Sequence, residues 1–204
     1  MKDNQTVSLF IDTATKALAV GAIKGETYLT VDMADPKKAL ERTHLGIEYL
    51  MDRVGFALAD VDNFFCLLGP GSNTGIRLGL AIPRTIYGIN PKIHVFGVPT
   101  MELMLCEVKD GVSVLSDRGG NLFVGKKVNS QYSYEKVTKA DIDTKLKDYP
   151  QIYVEKEDTL AHEELKDHQI IDLNVLSLMM NHPTVFKDFS SQEEDYLPEY
   201  ALKI

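Results

Sequence analysis

Residues Gly69-Pro70-Gly71-Ser72-Asn73-Thr74-Gly75-Ile76-Arg77-Leu78-Gly79 form a glycine-dense bend between an apolar run and a helix. The run before it, Phe64-Phe65-Cys66-Leu67-Leu68, is short and continuously apolar, which predicts a strand buried on both faces. Gly-Pro-Gly ends that strand, because proline fixes φ and has no N–H while glycine accepts positive φ. Ser72, Asn73 or Thr74 then caps the helix by placing a side-chain oxygen near the unpaired N–H groups of the first turn. Such a corner is either a tight strand-to-helix joint or an anion seat. No lysine follows the second glycine cluster, so it is not a Walker A loop. Arg77, on the first helical turn, is expected to reach a partner carboxylate or a nucleotide phosphate, with a local salt bridge as the alternative.

A chain of 204 residues forms one large domain or two small lobes. Its hydrophobic fraction of 44% and charged fraction of 25% are the ordinary globular balance. No stretch approaches the roughly 18 to 20 apolar residues of a membrane helix. Met1-Lys2-Asp3-Asn4-Gln5 leads into a strand without a signal-peptide core, so a cytoplasmic location is expected. Cys66 and Cys106 both sit in apolar settings and read as small core residues of a reducing compartment. The net charge of −8 disfavours independent, high-affinity nucleic-acid binding.

The element order repeats. Val7–Ile11 is a strand ending at Asp12, Ala17–Ile23 and Thr27–Met33 complete a meander, and a helix follows over Leu40–Val54. The buried strand, the glycine corner with its helix, and a strand over Ile93–Val98 close residues 1–100. The second half runs Val112–Ser116 ending at Asp117, Asn121–Val128, Gln131–Val137, a helix over Lys139–Asp148, a strand over Gln151–Val154 and a helix over Leu173–Asn181. A βββαβα unit thus occurs twice, with an acid closing each first strand, and predicts two α/β lobes around a cleft. Residues 1–100 form the N-terminal lobe and 101–204 a smaller, degenerate one, with the last residues returning to the first. Asp12 and Asp117 are expected at the cleft mouth; the plainer reading is that each caps its own turn.

Catalytic groups are not visible. None of the five histidines forms a metal pair at helical spacing, and His44 with Glu48 at i+4 reads as a surface pair. No Gly-x-Ser-x-Gly elbow appears, and Glu193-Glu194-Asp195 reads as a solvated acidic run. No catalytic residue, metal or cofactor is therefore assigned to the chain itself.

Two helices carry surplus apolar surface. The first has a stripe at Leu40, His44, Ile47, Met51, Val54 and Leu58 for its own sheet, leaving Leu45, Tyr49 and Phe56 wet. The second is apolar nearly all round, with Ile76, Leu78, Leu80, Ile82, Ile86 and Tyr87, and with Gly75, Gly79 and Ala81 allowing close approach. One sheet covers one side only, so Leu45, Tyr49, Ile76, Gly79 and Leu80 are expected at an interface unless the second lobe covers them. Pro83 is expected to kink the second helix or to restart it.

The glycine corner, with Ile11-Asp12-Thr13-Ala14-Thr15 upstream and Pro198-Glu199-Tyr200-Ala201-Leu202 at the end, resembles the bacterial TsaB (YeaZ) family. The resemblance implies the two-lobed actin-like, Hsp70-like ATPase fold, built on ribonuclease H-like units. It implies that Asp12-Thr13 and Asp117-Arg118-Gly119 are degenerate phosphate turns, and that Gly69, Gly71, Ser72, Thr74, Gly75 and Arg77 form the family's glycine corner. It implies a non-catalytic subunit of the tRNA threonylcarbamoyladenosine machinery that docks on and activates a TsaD-type transferase. A TsaE-type ATPase would join the assembly, ATP and metal would sit on the partners, tRNA would be met only indirectly, and the chain alone would form a homodimer. Asn73 stands where the family usually has Phe, Ala14 where the first turn often has Gly, and Pro83 where a small or straight-chain residue is usual. An actin-fold small-molecule kinase and a homodimeric scaffold without TsaD are the alternatives.

Overall fold

The computed structural model describes residues 5–33 and 38–190. Glu193-Glu194-Asp195, Pro198–Leu202 and the first four residues lie outside the described residues. The first half runs β1 (Val7–Asp12), β2 (Ala19–Lys24), β3 (Thr27–Asp32), α1 (Ala39–Val54), β4 (Asn63–Leu67), α2 (Asn73–Ile89), β5 (His94–Val98) and α3 (Thr100–Met104). The second runs β6 (Gly111–Ser116), β7 (Leu122–Val128), β8 (Gln131–Val137), α4 (Ile142–Leu146), β9 (Ile152–Glu155), α5 (Thr159–Glu164), β10 (Ile170–Leu173) and α6 (Val175–Asn181). The repeated unit is therefore βββαβαβα, one strand and one helix longer than the sequence pattern suggests. The missed elements, α5 and β10, are only six and four residues long. Their strongest local signal is Asp158, whose side chain accepts the Ala161 N–H at the start of α5.

The strand order is β5-β4-β1-β2-β3 in one sheet and β10-β9-β6-β7-β8 in the other, the same path followed twice. In each, an antiparallel meander is extended by parallel strands that need helical crossovers. A short β11 (Lys187–Asp188) pairs antiparallel with β5, so the chain returns to the first sheet. Phe10, Phe65 and Phe96 are register partners across β1, β4 and β5 and stack at 4.6 and 4.8 Å, with Phe186 meeting Phe65 edge-on at 5.2 Å. At the β7–β8 turn, Asn129 and Ser130 have φ of 50° and 64°, the left-handed pair of a type I′ hairpin.

The helix that closes each half lies on the other half's sheet. Helix α3 packs on β6, β7 and β9, while α6 packs on β1 and β2, and the two touch each other. Leu115, Phe123, Val175, Leu176 and Met179 thereby join the core of the first sheet. The far face of the second sheet keeps a separate core around Val112, Val114, Val124, Ile152 and Leu165.

Helix α1 sits one residue round from the expected stripe. Ala39, Thr43, Gly46, Ile47 and Leu50 face inward, whereas Leu40 is 71% exposed and His44 is exposed. A Cβ on Gly46 would lie 2.7 Å from Met33 Sδ and 2.9 Å from Val20 Cγ2, so the bare backbone seats this helix on its sheet. Phe56, expected at the surface, is buried just after the helix.

Helix α2 is continuous through Pro83, with neither break nor restart. Proline cannot donate to the Gly79 carbonyl; the Cys66 thiol lies 3.4 Å from that oxygen and donates instead. Burial pushes the Cys66 thiol up to about 12, which keeps it a protonated donor.

Two glycines of α2 offer matched opposite tests. A Cβ at Gly75 would stand 1.7 Å from the Thr13 carbonyl oxygen, whereas one at Gly88 meets nothing within 4 Å. Gly75→Ala should lower unfolding free energy by about 3 kcal/mol through overpacking. Gly88→Ala should raise it by up to about 1 kcal/mol through helix propensity. Urea denaturation of both variants measures the two signs, and equal effects would contradict the seating described here.

Candidate functional site

The glycine corner is closed by the turn that follows β1. Ser72 N donates to the Ala14 carbonyl at 2.8 Å, and Thr13 Oγ1 donates to the Gly75 carbonyl at 2.6 Å. A Cβ at Gly71 would come within 2.5 Å of the Ala14 oxygen, so glycine is required where the two backbones meet. Of the three candidate caps, Ser72 serves: its hydroxyl accepts the Gly75 N–H at 3.2 Å, while Asn73 and Thr74 are exposed. The corner is thus a tight joint between the two segments, with Ser72 N and Gly75 N already paired. Gly69, with φ of 96°, ends β4's run in a conformation that only glycine adopts cheaply. Arg77 is exposed and makes no ion pair among the described residues.

Asp12 is fully buried, and its carboxylate is engaged by its own turn: Ala14 N at 3.2 Å, Thr15 N at 3.0 Å and Thr15 Oγ1 at 2.5 Å. Asp117 is likewise tied to its own loop, accepting Asn121 N at 2.8 Å and Asn121 Nδ2 at 2.6 Å, with Gly119 exposed beyond it. Both acids thus cap local turns. The two turns nevertheless meet across the lobes, because Lys16 Nζ donates to the Asp117 carbonyl at 3.0 Å.

Sequence reasoning passed over the charged groups behind these turns. Arg118 stands near Asp12: burial lowers the guanidinium's basicity, and the Asp12 charge acts the other way. Its Nε and one terminal nitrogen are buried without a hydrogen-bond partner. Glu155, at the end of β9, is fully buried, and its Oε1 has no partner while Oε2 accepts the Glu157 N–H at 2.9 Å. Burial first, then the Asp12, Glu157 and Asp158 charges, push Glu155 up to about 8. Burial also raises Asp12 above the usual carboxylate range, against the hydrogen bonds of its turn and the charge of Arg118. Asp158 is saturated, accepting Ser116 N and Ser116 Oγ at 2.5 Å each and Ala161 N at 3.3 Å. A buried Glu after a short strand has no local signature, so only its tertiary surroundings single it out.

Three N–H groups where the first turn meets the corner are already engaged. A phosphate turn must offer free N–H groups, but those of Ala14 and Thr15 point into Asp12 and Ser72 N points at Ala14. Among the described residues, no group of His, Cys, Asp and Glu is arranged to hold a metal ion. Each histidine instead faces a single carboxylate: His44–Glu48, His94–Asp188, His162–Asp172, His168–Asp143 and His182–Glu107. Titration calorimetry with Mg-ATP should accordingly show nothing tighter than about millimolar, roughly −4 kcal/mol. A micromolar constant would mean that the first turn rearranges.

The second candidate site is a surface. Leu45 and Tyr49 are exposed at 51% and 47%, with the Arg53 guanidinium 5.2 Å from the Tyr49 ring centre. Ile76, Gly79 and Leu80, expected beside them, are buried in the chain's own core, because they form the stripe of α2 that faces its sheet. That placement is corrected: a partner does not reach them. The outward side of α2 is Leu78, Ala81, Ile82 and Ile86, and with Leu40 and Ile47 of α1 it lines an apolar groove of about 520 Å³. Among the described residues, no helix is long and apolar enough to cross a membrane.

No family model matches the chain. It is similar to a Mycoplasma pneumoniae protein described as the uncharacterized MG208 homolog, at 29% identity over 100 residues. That alignment takes in 48% of this chain and 51% of the other, so the chain spans about half the length of the curated relative it matches. Among solved structures it is similar to a protein from Pseudomonas aeruginosa described as resembling peptidase YEAZ, at 16% identity and TM-score 0.63, covering 93% of this chain and 97% of that one. It is also similar to YeaZ from Pseudomonas aeruginosa, at 16% identity and TM-score 0.60, covering 92% and 97%. The chain has the YeaZ fold, a two-lobed actin-like arrangement of ribonuclease H-like units.

Proposed function

We propose that this chain is a TsaB-type accessory subunit of the tRNA threonylcarbamoyladenosine machinery, which docks on a TsaD-type transferase through the groove between α1 and α2. The observation that carries the reading is that groove, an apolar surface on the YeaZ fold that no element of the first lobe covers among the described residues. Leu40, Leu78 and Ile82 are its anchors, while Leu45 and Tyr49 are exposed elsewhere on α1. On this reading the chain is not itself an enzyme and works in the cytoplasm. A TsaE-type ATPase joins the assembly, ATP and metal are carried by the partners, and tRNA is bound by them. In the absence of a TsaD-type partner the same face pairs two copies of the chain. The closed first turn and the paired histidines favour this reading over an actin-fold kinase.

The test separates surface from core. Leu40→Glu with Ile82→Glu places charge in the groove and should weaken pairing with a TsaD-type protein by several kcal/mol, on the order of 100-fold or more. Its thermal midpoint should stay close to wild type, whereas Leu80→Glu should unfold the chain. Size-exclusion binding and a tRNA modification assay read the first effect, and a melt reads the second. A double variant that melts normally and still pairs would overturn the docking face.

A further inference from the structure

We propose that closure of the two lobes is coupled to a proton on Glu155, so that parting the turns that carry Asp12 and Arg118 releases that proton to solvent. The inference rests on the lobe junction and stands independently of the proposed function. Glu155 lies at the end of β9, fully buried, with Oε1 facing no donor. Oε2 accepts the Glu157 N–H at 2.9 Å, so among the described residues an ionised carboxylate would be compensated by that one hydrogen bond. A neutral acid leaves one weakly polar atom unpaired there; an anion leaves a buried charge.

The charges around Glu155 come from several elements. Asp12 approaches from β1 of the other lobe, and Glu157 and Asp158 from the segment entering α5, all negative. Of the nearby cations, Arg118 feels the Asp12 charge while its Nε and one terminal nitrogen stay unpaired, and Lys16 is held on the Asp117 carbonyl. On β10 Asp172 is turned to His162, and Glu102 of α3 accepts the Tyr134 hydroxyl. Helix α6 carries no titratable side chain. The charges that act on Glu155 are therefore those of acids, while the adjacent Lys156 is exposed and lies 3.9 Å from Glu157.

The floor of the junction, α3 and α6, is largely apolar and shared by both sheets, whereas its mouth is bridged by the Lys16–Asp117 bond, with the Arg118 charge acting on Asp12 beside it. Opening is thus a parting of the turns at the mouth that admits water to Glu155. Closed, Glu155 holds its proton up to about pH 8; hydrated, it returns toward its ordinary value of 4.5. Below that ordinary value both forms are protonated and pH has no effect. Between the two values the closed form holds a proton that the open form lacks, and the closed-to-open ratio falls by up to about tenfold per pH unit. Above the upper value both forms are ionised and the ratio levels off.

The test uses the full chain with spin labels at Thr74→Cys and Lys156→Cys, both exposed positions, in a Cys106→Ser background that leaves buried Cys66 unlabelled. Pulsed dipolar distances from pH 4 to 9.5 should show a longer-distance population that grows through the window and then flattens. Glu155→Gln should hold the short distance throughout, and Glu157→Gln, which removes one neighbouring negative charge, should make the rise level off at lower pH with a smaller open population. A distribution unchanged with pH, or a Glu155→Gln variant that opens like wild type, would overturn the proposal. If Glu155→Gln fails to fold, the carboxyl ¹³C resonance of Glu155 in the wild-type chain decides: titration near the ordinary value would overturn the proposal, and a raised midpoint would support it.

Discussion

The contact on which the rest of the structure depends is that between the backbone of the Asp12–Thr15 turn and the N-terminus of α2. Gly75 lets the Thr13 carbonyl into space where a side chain would stand, and Ser72 N and Thr13 Oγ1 tie the two segments from both sides. This joint sets where α2 crosses β4, and hence which side chains of α2 face the sheet. The strain of so close an approach is offset by hydrogen bonds that satisfy helix-end and turn groups at once.

Helix α2 then shows how a local penalty is absorbed by its surroundings. Pro83 removes a ladder bond, which in isolation costs about 3 kcal/mol. The strand beneath supplies Cys66, whose thiol meets the orphaned Gly79 carbonyl. With the helix unbroken, Leu78, Ile82 and Ile86 form one wall of the groove facing α1.

The lobe junction has a different character. Apolar helices exchanged between the sheets hold its floor, while its upper part gathers Asp12, Arg118 and Glu155 with fewer hydrogen bonds than their polar atoms can make. Buried polar groups that are incompletely paired are costly, and they confer sensitivity to protonation on the region that holds them. The joint and the junction share Asp12's turn, so the packing of α2 and the charge state between the lobes are mechanically adjacent.

Much of this was legible in the residues. Alternation and apolar runs marked the two meanders, the glycine cluster marked the corner, and Asn129-Ser130 marked its hairpin. These are properties of neighbours in the chain, governed by backbone freedom and side-chain period. The face that each helix presents was not legible in that way. In α1 the stripe with the most carbon, through Leu40 and Met51, lost the sheet to the stripe carrying Gly46, because close approach to Val20 and Met33 buries more than a larger side chain held at a distance. In α2 nearly every side was apolar, and the close Thr13 contacts at Gly75 and Gly79 lie on the side where Ile76 and Leu80 go inward, with Ile82 outward. Glu155 was silent as well, since the burial and the neighbouring acids that raise its pKa come from residues far apart in the chain. The sequence by itself determined the elements and their duplicated order; the tertiary structure alone decided rotation, burial and charge environment, because each depends on distances between segments that the chain order does not specify.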